Sequence, residues 1–380
     1  MLVGLRFIIV LVLAVNVQAW QTQTISEHRH VTADLTIADD TVLRFQDGGV
    51  FDIAAGATLT INGAVDAPLQ QIFTGPGRVV IGPGRVERVY AQWWGARGDG
   101  KHDDTAAIQA AIDAPTGGIL FFPPGKYANT GVTARSRITL LGSGIGASSL
   151  VYTPKSGSCI TLPKECAWLR IEKLSLASPG HTSGYGIDGT NEYVRYFSMR
   201  DFAIGGFKTG VYVAAGMHLS FNYGYVSCYG LGEANGSIGI KLGDKALDKA
   251  CTTATITDIY FTNAETCFYN RAAPCIMIRP IFESCRIGLD SYTRGTVIGP
   301  FWAGCKTAAV RLTDNGLFFI GPFPAEKKIL YENQIVQDRT SFFPDTFDSP
   351  MKLGLMELSP GGELKINGLQ IHPPKQVKPQ

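Results

Sequence analysis

Charged residues are scarce in this sequence, and neither sign dominates. Lys, Arg, Asp and Glu together make up 17% of the 380 residues, and the formal net charge is +2. This balance gives no electrostatic reason to expect binding to nucleic acid or to an anionic membrane surface. We therefore expect neither nucleic acid nor a membrane as a partner.

The sequence also lacks an apolar run that is long enough to cross a bilayer comfortably, which takes about 20 residues. The short apolar run at residues 7–15 follows Arg6 and is followed by small residues up to Ala19. This pattern is typical of a secretory signal peptide over residues 1–19, and it predicts a mature chain that starts at Trp20. We expect a secreted protein, either extracellular or periplasmic. An uncleaved N-terminal membrane anchor is the alternative.

Metal and phosphate motifs are missing as well. The eight cysteines include no CxxC pair and no zinc-type spacing, and the glycine-rich stretch at residues 142–146 is not followed by the lysine of a phosphate loop. The sequence predicts no metal and no cofactor. An even cysteine count in an exported chain permits disulfides, with Cys159–Cys166 as the first candidate, but free buried thiols are the alternative.

Strand signals fill most of the chain, which contains 44 Gly and 20 Pro. Residues 32–81 alternate apolar and polar side chains between glycine-rich turns, which predicts short successive strands. A helix is predicted over residues 104–114, because Ile108 and Ile112 recur four residues apart. Pro115 ends this helix.

A six-residue pattern, apolar-x-x-apolar-x-apolar, recurs through the second half of the chain. It starts at Ile171, Met199, Phe221, Ile256, Ile278, Ile298 and Ile320. The last four starts are 22, 20 and 22 residues apart, and a second short strand follows each. Two strands per repeat at this period predict a β-solenoid whose coils stack to form one core. The longer gap after Phe221 predicts an inserted loop at residues 230–249.

These patterns divide the chain into four parts, with no linker or charge block between them. The parts are a signal peptide (1–19), an N-terminal β-strand region that leads into the solenoid (20–90), the solenoid (91–333), and C-terminal closing strands with a disordered tail (334–380).

Two adjoining motifs carry a family resemblance. The stretch QWWGARGDGKHDDTAAIQAAI starts at Gln92, and GGILFFPPGKY starts at Gly117. Together they resemble the opening of the pectate-lyase-3 superfamily, which includes phage tailspikes, β-1,3-glucanases, polysaccharide lyases and the catalytic modules of alginate epimerases. The resemblance implies an all-β fold, a right-handed parallel β-helix with a short N-terminal capping helix. It does not imply one reaction, and the catalytic motifs of the epimerases and polygalacturonases are absent.

The aspartates of the first motif have two possible roles. Asp99, Asp103 and Asp104 are closely spaced carboxylates beside a histidine, which suits acid–base chemistry. They also suit a tight turn and a helix N-cap, since Asp is favoured at both positions. We favour the structural role.

Residues at equivalent positions of successive coils stack about 4.8 Å apart, so columns carry more information than local motifs. The outward positions of the first strand predict a solvent-facing aromatic ladder of Tyr225, Tyr260, Phe282 and Trp302. Flat aromatic faces stack on sugar rings, so we predict that this ladder binds substrate. Alternatively, a loop or a partner subunit covers the ladder as additional core. Glu283 is predicted to point inward.

The outward positions of the second strand form a mixed polar column. Its members are Asp188, Tyr212, Lys241, Tyr269, Asp290, Arg311 and Tyr331. Elimination from an acidic sugar needs a cation, a base and an acid, and hydrolysis needs two carboxylates. We predict Lys241, Tyr269, Asp290 and Arg311 as catalytic residues. A solvated, salt-linked face is the alternative.

The resemblance and the columns together predict a secreted carbohydrate-active enzyme, a polysaccharide lyase or a glycoside hydrolase. It would cut an extracellular polysaccharide along the outer face of the helix. A non-catalytic glycan-binding or surface-structural β-helix is the alternative, because one fold serves many functions. The tailspike resemblance also implies a possible homotrimer.

Overall fold

The structure is a computed structural model that describes residues 20–228, 235–312, 317–320, 329–331, 334–337, 351–353, 356–358, 364–366 and 369–371. The predicted signal peptide, residues 1–19, lies outside the described residues. Residues 230–234 of the predicted insertion and much of the C-terminal part also lie outside them.

The N-terminal region forms three coils of its own. Nine short strands pair in parallel as three sheets, each containing one strand from every coil. The strands are β1 (Gln21–Ile25), β2 (His28–Val31), β3 (Leu35–Ile37), β4 (Thr41–Phe45), β5 (Val50–Ile53), β6 (Thr58–Ile61), β7 (Ala64–Asp66), β8 (Phe73–Thr74) and β9 (Arg78–Ile81). Alternation of apolar and polar residues sends Leu43, Leu59 and Val79 into the shared core.

A short helix closes the main solenoid where the N-terminal coils join it. The α-helix α1 (Thr105–Asp113) buries Ile108, Ala111 and Ile112, and it packs on the 3₁₀ helix Ala91–Trp94. Its apolar face therefore joins the core of the N-terminal coils to the core of the main solenoid.

Among the described residues, the main solenoid is one wound sheet of 23 strands, a right-handed parallel β-helix as predicted. Its strands up to residue 195 are β10 (Arg88–Tyr90), β11 (Asp99–Asp103), β12 (Gly118–Phe122), β13 (Gly125–Asn129), β14 (Val132–Thr133), β15 (Ile138–Gly142), β16 (Ser148–Tyr152), β17 (Ser158–Thr161), β18 (Arg170–Glu172) and β19 (Ser175–Arg195). Those that follow are β20 (Ser198–Ser227), β21 (Ile238–Leu242), β22 (Cys251–Thr262), β23 (Thr266–Asn270), β24 (Cys275–Ile278), β25 (Ile281–Glu283), β26 (Ile287–Ser291), β27 (Gly295–Ile298), β28 (Phe301–Ala303), β29 (Ala308–Leu312), β30 (Leu317–Ile320), β31 (Ile329–Tyr331) and β32 (Gln334–Gln337).

Each coil has three faces, which we name from one coil: face A contains Cys275–Ile278, face B contains Ile281–Glu283, and face C contains Ile287–Ser291. Each face pairs in parallel with the same face of the next coil. The corner between faces A and B is one residue in the left-handed region, such as Asp258 (φ 52°) and Arg279 (φ 49°) on successive coils. Such sharp corners keep the faces short and the columns in register.

Sulfur and aromatic columns fill the core. All eight cysteines are buried, and neither Cys159 nor Cys166 forms a disulfide, so the bridge considered for this pair is absent. The Phe282 ring stacks on Phe261 at 5.4 Å and on Trp302 at 4.5 Å between centroids. These contacts join three successive coils.

The described residues of the C-terminal part form four further strands, which make an antiparallel sheet in chain order. They are β33 (Met351–Leu353), β34 (Met356–Leu358), β35 (Leu364–Ile366) and β36 (Leu369–Ile371). Among the described residues, no helix has the length and apolar character that a membrane span requires.

Candidate functional site

The polar column on face C is aligned as predicted. Backbone pairing joins Asp188 to Tyr212, Tyr212 to Lys241, Lys241 to Tyr269, Tyr269 to Asp290 and Asp290 to Arg311. The column ends one residue earlier than predicted, because Arg311 pairs with Leu330 and not with Tyr331. Six chemically active side chains therefore lie in one line across six coils, although their catalytic role stays a prediction.

Lys241 lies at the centre of a compact cluster in this column. Its Nζ donates to Asp244 Oδ2 at 2.6 Å, and it lies 4.4 Å from the ring centroid of Tyr212 and 5.4 Å from that of Tyr269. The Tyr212 hydroxyl donates to the same Asp244 oxygen. An ammonium, a carboxylate and two phenols thus meet on three successive coils. We call Tyr212, Lys241, Asp244 and Tyr269 the face C cluster.

Asp244 is a member that sequence reasoning missed. It belongs to the described end of the predicted insertion, where its backbone exchanges hydrogen bonds with Lys249. Its Oδ1 accepts the Ala246 N–H at 2.8 Å, and the neighbouring Lys245 N–H donates to the Tyr269 hydroxyl at 3.1 Å. The insertion therefore folds over the column and supplies the carboxylate. An Asp directly after Gly243, at the start of a polar turn, is the sequence signal that could have indicated it.

The environment fixes the charge states in the cluster. Burial raises the pKa of Asp244, but hydrogen bonds from Lys241 and Tyr212 and the Lys241 charge outweigh it and lower that pKa to about 2. Burial raises the pKa of Tyr269 to about 12. Burial and the hydrogen bond to Asp244 raise the pKa of Tyr212. At neutral pH, Asp244 is an anion and both phenols keep their protons.

Asp290 and Arg311 bind each other. Arg311 Nε donates to Asp290 Oδ1 at 2.9 Å, Arg311 Nη2 donates to Oδ2, and the Asp290 side chain is only 1% exposed. The hydrogen bond to Asp290 raises the pKa of Arg311 despite its partial burial. This geometry is that of a bidentate ion pair, which holds two coils together and leaves little of the carboxylate for substrate.

The predicted aromatic ladder on face B is wrong in half of its members. Tyr260 pairs with Ile281, and Phe282 pairs with Phe261, so the column shifts by one residue between these coils. Phe282 and Trp302 consequently point inward, and both are buried. Their rings belong to the core and do not face solvent.

A different outward column occupies face B, and we call it the face B strip. It consists of Tyr225, Tyr260, Ile281 and Phe301, which pair in this order. Tyr225 is 39% exposed and Phe301 is 58% exposed. Glu283 was predicted to point inward, but it lies beside this strip, partly exposed, and accepts a hydrogen bond from the Tyr260 hydroxyl.

The aspartates near the helix hold backbone, in agreement with the structural role. Asp103 Oδ1 accepts the Thr105 N–H at 3.0 Å. Asp104 is fully buried and accepts the N–H groups of Arg97 at 2.8 Å and Gly98 at 3.0 Å. Asp104 occupies the N-cap position, but its side chain stabilises the preceding loop and not the helix.

Comparison with known proteins gives short but specific likenesses. Residues 91–162 match the family described as rhamnogalacturonase A/epimerase, pectate lyase-like. Mannuronan C5-epimerase AlgE3 of Azotobacter vinelandii is 44% identical over 64 residues, which cover 14% of this chain and 4% of the epimerase. Alginate lyase 7 of the same organism is 42% identical over 64 residues, covering 14% and 8%. The chain matches less than a tenth of the length of these relatives.

Solved structures with a similar fold include proteins of phages and bacteria. ORF18 of Geobacillus virus E2 has a TM-score of 0.46 at 15% identity, over 75% of this chain and 74% of that one. An exopolygalacturonase of Thermotoga maritima has a TM-score of 0.36 at 10% identity, over 68% and 78%. The pectate-lyase-like resemblance that the sequence motifs indicated is confirmed.

Proposed function

We propose that this chain is a secreted carbohydrate-active enzyme that modifies an extracellular polysaccharide at the face C cluster. The observation that carries this proposal is the contact of Lys241 with Asp244 and two tyrosine rings on the outer face of a β-helix. The relatives that match a short stretch of this chain include proteins named as epimerases and a lyase, which supports the same class of substrate.

The groups present favour proton transfer next to a carboxylate-bearing sugar over hydrolysis. The Asp188 carboxylate, which lies in register with Tyr212 on the adjacent coil, can take the proton next to the uronate carboxylate. The lysine ammonium can neutralise the charge that develops on the uronate, and a protonated phenol can donate to the leaving oxygen. Hydrolysis needs two carboxylates that are available to the substrate. Asp244 is bound by Lys241 and Asp290 by Arg311, so within the described part of the chain Asp188 is the one carboxylate of this column without an ion pair.

The test uses the mature chain, acidic and neutral polysaccharides, and two readouts. Elimination gives unsaturated uronates that absorb ultraviolet light, whereas hydrolysis gives new reducing ends without that absorbance. We expect Lys241→Ala and Tyr269→Phe each to lower turnover ~100-fold, the usual scale for losing one acid–base group. Lys101→Ala, at an exposed lysine near the helix, is the matched control. Full activity in both face C variants would contradict the proposed site.

A non-catalytic glycan-binding protein is the second candidate, and one observation favours it. Tyr212, Tyr269 and Asp244 are buried and Tyr212 donates a hydrogen bond to Asp244, whereas Tyr225 and Phe301 of the face B strip are exposed. Binding of a polysaccharide without product of either kind would select this function. The possible homotrimer is tested on the same samples by sedimentation equilibrium.

A further inference from the structure

Three carboxylates near the corners of face B differ in their partners. Asp258 accepts from Arg279 Nε at 2.6 Å, and Glu265 lies 3.3 Å from Arg286 Nη1. Glu283 forms no ion pair within the described part of the chain, and its hydrogen bond comes from the Tyr260 phenol. The two arginines next to it in sequence are thus used by other carboxylates.

This hydrogen bond changes the properties of the face B strip. The contact with Glu283, together with burial, raises the pKa of Tyr260 to about 12, so the phenol stays protonated. The ring of Tyr260 meets that of Tyr225 at 69° and 5.4 Å between centroids. On its other side the column continues through Ile281 to the exposed ring of Phe301. Apolar surface and a partly exposed hydrogen-bonding carboxylate therefore lie side by side over four coils.

We propose that the face B strip is a second glycan site, distinct from the face C cluster, and that it binds a chain of neutral sugars. The flat rings of Tyr225 and Phe301 suit the C–H faces of pyranoses. The Glu283 carboxylate, whose hydrogen bond to Tyr260 uses only part of its acceptor capacity, accepts hydrogen bonds from sugar hydroxyls.

Charge decides between the occupants of this strip. An acidic glycan would bring its carboxylates against Glu283, and like charges at close range repel. A second copy of this chain would bury the same carboxylate at a protein interface, where an unpaired charge costs several kcal/mol. A neutral sugar chain leaves Glu283 hydrated in part and supplies hydroxyl donors to it. The site rests on the proposed function only for the class of ligand, a glycan.

The experiment measures the affinity of the mature chain for neutral hexasaccharides (cellohexaose, laminarihexaose and maltohexaose) and for oligoguluronate, by isothermal titration calorimetry. The test variants are Phe301→Ser and Tyr225→Ser. The matched control is Ile276→Ser, which removes an apolar side chain that is 41% exposed on face A. We expect each strip variant to weaken neutral-glycan binding about tenfold, the scale of losing one exposed aromatic contact, and the control to change nothing.

Glu283→Gln tests the charge argument separately, because the amide can still accept the Tyr260 hydrogen bond. We expect it to weaken neutral binding and to permit oligoguluronate binding on the strip. Unchanged affinity in Phe301→Ser and Tyr225→Ser would overturn the strip, and so would a change of oligomeric state in these variants without a change in affinity. If either of these contradicting results is obtained while the wild-type chain still converts a polysaccharide, the proposed function stands and only the second glycan site is refuted. If the wild-type chain neither binds nor converts any glycan, both fall.

Discussion

Phe301 and Trp302 are adjacent in sequence but lie on opposite sides of face B. Phe301 is 58% exposed, whereas Trp302 is 5% exposed and stacks on Phe282. Replacing each residue by alanine therefore separates a surface position from a core position without changing the strand. The pair also tests the one-residue shift of the column directly.

The expected cost differs strongly between the two variants. Truncating a buried Trp to Ala costs about 3–5 kcal/mol, since it removes the ring and leaves a cavity. The Trp302 ring also packs on Gly288, where an added Cβ would lie 2.7 Å from it. In a chain of about 360 residues, 1 kcal/mol shifts Tm by about 1–2 °C, so Trp302→Ala should melt about 3–10 °C lower. Phe301→Ala should stay within about 0.5 kcal/mol of the wild type.

The assay is a thermal melt followed by far-UV circular dichroism at one heating rate, with guanidinium unfolding as a second measurement. The ordering matters more than the absolute shifts, because the scan rate affects both variants alike. A larger loss in Phe301→Ala than in Trp302→Ala would refute the register of face B. It would also restore the solvent-facing ladder that the hexapeptide pattern predicts.

Three further predictions concern charged residues. Arg311→Ala should lower the free energy of unfolding by about 3 kcal/mol, because the buried Asp290 carboxylate loses its cationic partner. Adding Asp290→Ala should recover most of this loss in a denaturant titration, and no recovery would contradict the pairing. The pKa of Asp244 is lowered from 3.8 to about 2, which corresponds to about 2 kcal/mol of stability that is present above pH ~4 and is lost as the pH falls through about 2. The stability gap between wild type and Asp244→Asn should therefore shrink in acid, and a constant gap would argue against the shift. Replacing Asp103 and Asp104 by Ala should lower stability by more than about 1 kcal/mol, since backbone N–H groups lose their acceptors; an unchanged Tm with lost activity would instead reveal a catalytic pair.

Face C was predictable from sequence because its strands keep strict alternation. Ile240, Phe268, Leu289 and Val310 are buried on four successive coils, and one polar residue follows each of them. A period of two leaves only one register once a buried residue is fixed. The alignment of the polar column follows from that constraint alone.

Face B was misread because proline replaces a β-branched residue at an inward position. Met277, Pro280 and Phe282 are buried along faces A and B of that coil, and they correspond to Ile256, Ile259 and Phe261 of the coil before. Ile278 and Ile281 look like core residues by hydropathy, yet both are partly exposed. Because Ile278 and Ile281 fit the apolar positions of the six-residue pattern, the predicted pattern starts one residue too late on this coil.

The missing member of the face C cluster has a different cause. Asp244 lies in an insertion that interrupts the repeat, so no column position predicts its location. Its contacts with Lys241 and Tyr212 arise only when the insertion folds back on the stacked coils. The sequence repeat predicts which strand residues align between coils, but it does not predict contacts that an inserted loop makes with them.

Faces B and C also differ in how their outward side chains could interact with a ligand. On face C the charges are satisfied within the protein, through Lys241 with Asp244 and Arg311 with Asp290. A substrate there must compete with hydrogen bonds that already exist, so binding energy is spent on rearrangement and chemistry. On face B, a glycan bound as proposed would contact Tyr225 and Phe301 and displace only water. A β-helix that binds a glycan on face B and converts it on face C would therefore keep affinity and turnover on separate sets of residues.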